Sequence, residues 1–173
     1  MKKIHILTAL VLSLLMLTTG CGISSQGNTL HGFTQRMNEY PENYNLSESG
    51  YIYDANNNTL TRFFKFNKNE IMLQFECAEN NEFTCLHIVF DNNCKNNSQE
   101  INFIKNCIEA FTESPVVTDE LLQKIDFDNS IKTTSYETKT AKSGDTELLL
   151  DTTTMGTVIS INRNMQKAFP QEV

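Results

Sequence analysis

Few residues in this chain could do chemistry. After the first twenty residues the only histidines are His31 and His87, and Cys85 lies two residues before His87. On a β-strand that spacing puts a thiol and an imidazole on the same face. The pair could be a cysteine nucleophile with its base, or two ligands of a metal site. Same-face neighbours are separated by ~7 Å of backbone, beyond hydrogen-bond reach without bending. The expected arrangement is therefore a surface histidine beside a structural cysteine, with no third or fourth ligand for zinc. No HExxH, GxSxG, Walker or GxGxxG pattern occurs, and no cofactor is expected.

A second constellation begins at Asp126. Counted from there, the first, third, fifth and twelfth places hold Asp126, Asp128, Ser130 and Glu137, oxygen ligands at the spacing of an EF-hand calcium loop. The sixth place, which needs glycine for a sharp turn, is Ile131, and the segment from Ile131 reads as strand. The opposing reading is a solvated loop leading into a strand.

Cys77, Cys85, Cys94 and Cys107 allow three full disulfide pairings. In the expected strand register Cys77 faces the core, and Cys85 faces the other way, opposite Glu76. Cys107 lies about ten residues into a helix running back along the sheet, roughly 15 Å at 1.5 Å per residue. That brings it level with Cys77, so Cys77–Cys107 is the favoured bridge. The alternative is that these thiols stay free as small buried apolar residues.

The elements that must position these groups follow from periodicity. Leu30, Phe33, Met37 and Tyr40 form one helix face, capped by Thr29. From Tyr51 the period changes to two, and four strands follow in a meander, separated by the Asn-rich turns near 54–58, 67–69 and 80–81. A two-residue turn at Asn80-Asn81 pairs Phe75 with Leu86, Leu73 with Ile88 and Ile71 with Phe90, and a one-residue slip would bury His87. Asn97 caps a helix carrying Ile101, Ile104, Cys107, Ile108 and Phe111, with Glu100 completing a capping box. Ser114-Pro115 ends it, and Thr118 caps a second helix. Three Thr-rich strands are expected from Ile131 to Thr140, Thr146 to Thr152 and Thr157 to Asn162. The expected fold is α+β, an antiparallel sheet or sheets with helices packed on one side, in the order α, four β, two α, three β. Whether there is one sheet or two stays open.

The N-terminus is an address. Lys2 and Lys3 precede an apolar stretch from Ile4 to Leu17, and Thr18-Thr19-Gly20-Cys21 closes it. The stretch is shorter than the ~20 residues of a membrane-spanning helix. It resembles a bacterial lipoprotein signal with a relaxed lipobox, in which Thr18 stands where leucine is usual. The resemblance implies that residues 1–20 are removed, that Cys21 carries the lipid, and that the chain is membrane-anchored and faces outside the cytoplasm. Residues 21–28 read as a lipidated tether and 29–173 as a single α+β domain.

The chain carries a net charge of −7. Removal of residues 1–20 would take away Lys2 and Lys3 and leave a net charge of −9, and residues 70–128 account for it, with twelve acidic side chains opposed only by Lys95, Lys105 and Lys124. Such a balance argues against nucleic-acid binding. It suggests either an acidic face for a basic partner or a merely solvated one. The expected function is a non-enzymatic, surface-tethered binding or interaction module for an unknown protein or small ligand, with Phe63 and Met72 as exposed apolar candidates on the sheet. The alternative is an envelope enzyme or enzyme inhibitor with an unrecognised site.

Overall fold

Period-two alternation of apolar side chains produces strands, and in the computed structural model these strands and the helices between them form an α+β fold. The structure describes residues 27–163 except 43, 45, 47–49, 67, 68, 79 and 80. The expected signal segment, Cys21 and the tether up to residue 26 lie outside the described residues. Helix α1 (Leu30–Asn38) is followed by strands β1 (Ile52–Asp54), β2 (Thr59–Phe66), β3 (Asn69–Cys77) and β4 (Phe83–Asp91). A 3-10 turn at Cys94–Asn96 leads to helices α2 (Ser98–Thr112), α3 (Pro115–Lys124) and α4 (Phe127–Ser130). Strands β5 (Glu137–Ser143), β6 (Thr146–Thr152) and β7 (Gly156–Arg163) close the described chain.

All seven strands belong to one antiparallel sheet in the order β1-β2-β3-β4-β7-β6-β5. Each meander pairs locally. The helical connection between them then lays β7 against β4, with Ile88 opposite Ile159 and Leu86 opposite Ile161. Pairing of Ile71 with Phe90, Leu73 with Ile88 and Phe75 with Leu86 follows the apolar pattern. Apolar rows therefore cross the whole sheet on one side, as in Leu60–Phe75–Leu86–Ile161–Leu148–Ala141.

The helices cover that side. Phe33 and Met37 of α1, Phe103, Ile104, Cys107, Ile108 and Phe111 of α2, and Leu121 of α3 join the strand residues in one hydrophobic cluster. Phe75 is central to it, with Phe33 edge-on at 4.9 Å and Phe83 stacked at 4.3 Å. Burial of each large apolar side chain contributes about 1.5–3 kcal/mol.

Local chemistry sets the ends of the elements. Thr29 accepts from the Gly32 N–H at 3.3 Å to cap α1, and Asn97 accepts from Gln99 N–H at 3.0 Å to cap α2. Helix α3 begins earlier than expected. Ser114 is its cap, Pro115 opens it where no N–H is needed, and the Thr118 hydroxyl lies within it, bonded to the Ser114 carbonyl at 3.0 Å. The fifth strand begins at Glu137 rather than Ile131. Ile131 ends α4 in helical conformation and is fully buried, so its apolar character serves the core beneath the helices.

Two further boundaries differ from expectation. The β3–β4 pairing shifts by one residue between Glu76 and Cys77, so that Cys77 faces Phe83. This bulge turns Phe83 into the core while Cys85 stays on the opposite face. Asn28, expected in the tether, is docked: Phe83 N–H donates to its carbonyl at 2.6 Å and its side chain donates to the Phe83 carbonyl at 3.3 Å. Asn28 is only 4% exposed. Asn28 therefore belongs to the folded body rather than to the expected tether.

Candidate functional site

The sheet face turned away from the helices carries the candidate site. Its rows are set by register: Glu76 lies beside Cys85 and Cys85 beside Asn162, while Gln74 lies beside His87 and His87 beside Ser160. One row further along, Phe63, Met72, Val89 and Val158 are neighbours across four strands.

Cys85 and His87 do come together. Sγ of Cys85 lies 3.4 Å from Nε2 of His87. The ~7 Å expectation described the backbone spacing, and the imidazole is long enough to fold back along the strand and close it. The same Nε2 meets Oε1 of Glu76 at 3.0 Å, and Nδ1 meets the Ser160 hydroxyl at 2.8 Å. The third ligand that the sequence did not supply is thus Glu76, already opposite Cys85 in the register. Ser160 left no sequence signal, because its approach depends on the long-range pairing of β4 with β7.

Although Cys85 sits on the helix-free face, it is 2% exposed. Its thiol is pushed up to about 12, first by burial and then by the negative charge of Glu76. A thiol held in that state stays protonated near neutral pH and is a poor nucleophile without further activation. That speaks against Cys85 and His87 as a nucleophile–base pair. Among the described residues, Glu76, Cys85 and His87 are the one group of three metal-ligating side chains whose donor atoms all lie within 4.8 Å of one another.

The calcium-loop residues do not gather. The Asp126 carboxylate accepts from Asn129 Nδ2 at 2.9 and 3.0 Å. Asp128 pairs with Lys105 at 2.8 Å. Ser130 is buried, donating to the Ile125 carbonyl at 2.8 Å and accepting from Lys139 at 2.6 Å. Glu137 pairs with Lys139 at 3.4 Å, at the start of β5. Helix α4 occupies the stretch where a calcium loop would have to turn sharply, which separates the four oxygens. Cys77 and Cys107 both pack against the core as expected, and both carry free thiols, as do Cys85 and Cys94. The expected bridge is not formed in this structure.

The acidic segment divides between the two sides of the molecule. Glu70 and Glu76 belong to the sheet, and Glu100 is buried, accepting from Asn69 and Asn97 at 3.0 Å. Glu109, Asp119, Asp126 and Asp128 line a cleft of about 520 Å³ among the helices, together with Lys105. Residues 70–128 pass through strands and helices on opposite layers, so they make no single acidic face.

The open face also holds a groove of about 500 Å³ lined among the described residues by Phe63, Met72, Val89, Met155 and Val158, with Glu70 and Asp91, and Lys65 stands opposite Glu70 in the register. Phe63 is 49% and Met155 86% exposed. No helix among the described residues is long and apolar enough to cross a membrane. Comparison with protein-family models, with curated proteins and with solved structures finds no match, so the functional reading rests on this geometry.

Proposed function

We propose that this protein is a lipid-anchored, non-enzymatic interaction module of the bacterial cell envelope, held by Cys21 outside the cytoplasm, and that it binds an apolar segment with basic flanks on another envelope protein. The observation that carries the reading is the groove on the helix-free face, where exposed Phe63 and Met155 stand beside Glu70 and Asp91, the charged side chains among its described lining residues, with Lys65 opposite Glu70 on the neighbouring strand. Apolar area gives such a groove its affinity, and the carboxylates favour a basic over an acidic partner.

The placement of the chain's entry supports this use. Gly27 and Asn28 dock beside Phe83, at one end of β4, whereas Val89 and Asp91 of the groove lie at the other end. Six to eight residues of strand make about 20–27 Å at 3.4 Å per residue. With Asn28 docked, residues 22–26 would add up to about 17 Å between Cys21 and Gly27 when extended. The groove is thus set apart from the anchoring end of the body, where a partner can reach it.

Photo-crosslinking in the native envelope tests the reading. A photoreactive residue at Phe63 should give a specific protein adduct that disappears in a Met155→Asp variant, while one at Lys142 on the far edge strand should not. Equal labelling at both positions, or none at Phe63, would overturn the groove as the interaction surface. Cys21→Ala should separately abolish fatty-acid incorporation and release the protein from the membrane; persistence of both would overturn the anchor.

A further inference from the structure

We propose that Glu76, Cys85 and His87 bind one divalent transition-metal ion of the zinc type, with three protein ligands and one open position on the helix-free face of the sheet. This inference is independent of the groove, because its ligands occupy different rows of the sheet.

Three observations carry it. The first is convergence. A tetrahedral zinc site with bonds of about 2.3 Å to sulfur and about 2.0–2.1 Å to nitrogen and oxygen places sulfur about 3.6 Å from nitrogen, and nitrogen about 3.3 Å from oxygen. The corresponding separations are 3.4 Å between Cys85 Sγ and His87 Nε2 and 3.0 Å between His87 Nε2 and Glu76 Oε1. These two separations lie within a few tenths of an ångström of the tetrahedral values, and all three donor atoms lie within 4.8 Å of one another.

The second observation is orientation. Ser160 Oγ holds Nδ1 of His87 at 2.8 Å, which leaves Nε2 for the metal. An outer partner on the second imidazole nitrogen is the usual companion of a metal-bound histidine. The ligands come from adjacent strands β3 and β4, and the outer partner from β7, so the sheet pre-organises the set.

The third is charge. A thiolate and a carboxylate together balance a dication, with neutral imidazole as third ligand. Binding forms the sulfur–metal bond as Cys85 gives its proton to solvent, so the uptake of one ion releases a proton. A soft thiolate beside imidazole selects zinc-like ions over calcium or magnesium, which prefer all-oxygen shells. Three protein ligands leave a fourth position for water or for a donor from a partner.

Cobalt(II), a spectroscopic substitute for zinc, tests the site on the purified full-length protein after chelator treatment. One equivalent should bring a thiolate-to-cobalt charge-transfer band in the near ultraviolet and visible bands of tetrahedral cobalt, and one equivalent of zinc should displace both. Cys85→Ser should remove the charge-transfer band, and Glu76→Gln and His87→Ala should each weaken binding at least about tenfold, with far-ultraviolet circular dichroism verifying that each variant is folded. Absence of the band in wild type, or an undiminished band in Cys85→Ser, would overturn the proposal. So would binding that is purely octahedral and insensitive to all three substitutions, the mark of an adventitious ion only. None of these results depends on the crosslink at Phe63.

Discussion

At the scale of single residues, the cluster on the open face shows how much two small side chains can be changed by their neighbours. Cys85 is a buried thiol on the face that lacks helices, and His87 is held at both ring nitrogens. If Ser160 sets the imidazole for a metal, Ser160→Ala should weaken cobalt or zinc affinity about tenfold while leaving the tetrahedral spectrum recognisable. Isothermal titration of the two forms measures this; equal affinities would remove Ser160 from the site. The four thiols of the folded body make a second residue-scale prediction. Intact protein denatured without reductant should take up alkylating reagent at Cys77, Cys85, Cys94 and Cys107, as the structure has all four free. In the native protein Cys107, fully buried and with its thiol raised well above its ordinary value by desolvation, should stay unmodified. Mass spectrometry of tryptic peptides reads both, and a mass lower by two hydrogens at a Cys77–Cys107 pair would restore the bridge.

At the scale of elements, turns and close approaches decide where strands begin. Gly144, at φ 59, gives the β5–β6 hairpin the left-handed residue that a primed two-residue turn needs. Gly156 opens β7 for a different reason. A Cβ there would stand 2.6 Å from the Phe90 carbonyl oxygen, so only glycine lets β7 lie this close to the end of β4. Gly156→Ala should cost about 1–3 kcal/mol, the usual range for overpacking, and a urea midpoint unchanged by the substitution would contradict the close approach. Much of the element plan was legible in sequence. Thr29 and Asn97 announce their helices because a side-chain oxygen before an apolar period is needed to satisfy free N–H groups. The register of β3 on β4 followed from the rule that a slip of one exposes a whole apolar face. The start of α3 and of β5 did not. Pro115 could end one helix or open another, and Ile131 suits a strand as well as a helix end packed on a core.

At the scale of the whole molecule, one core supports the sheet and all the helices, and its buried ionisable groups make stability depend on alkaline pH. Burial and the negative charge of Glu100 raise the Cys94 thiol from 9.0 to about 12, and burial above all raises Tyr44 from 10.0 to about 12. Cys107 moves in the same direction. The folded chain therefore holds these protons more tightly than the unfolded chain does. Their stabilising contribution is complete below about pH 9 and is lost as pH climbs toward about 12. Urea midpoints should fall steadily above pH 9, and a constant midpoint from pH 8 to 11 would show that these groups ionise without unfolding cost.

The sequence by itself determined the α+β class, the local pairings within each meander and the apolar side of each strand, because all of these arise from periodicities of two and 3.6 acting over a few residues. It also brought Cys85, His87 and Glu76 to neighbouring positions on one face. Tertiary structure alone decided that the two meanders make one sheet, that Asn28 docks on Phe83, that the calcium-spaced oxygens part company, and that Ser160 meets His87. Those outcomes depend on contacts between segments far apart in the chain, whose geometry emerges only when the common core is packed.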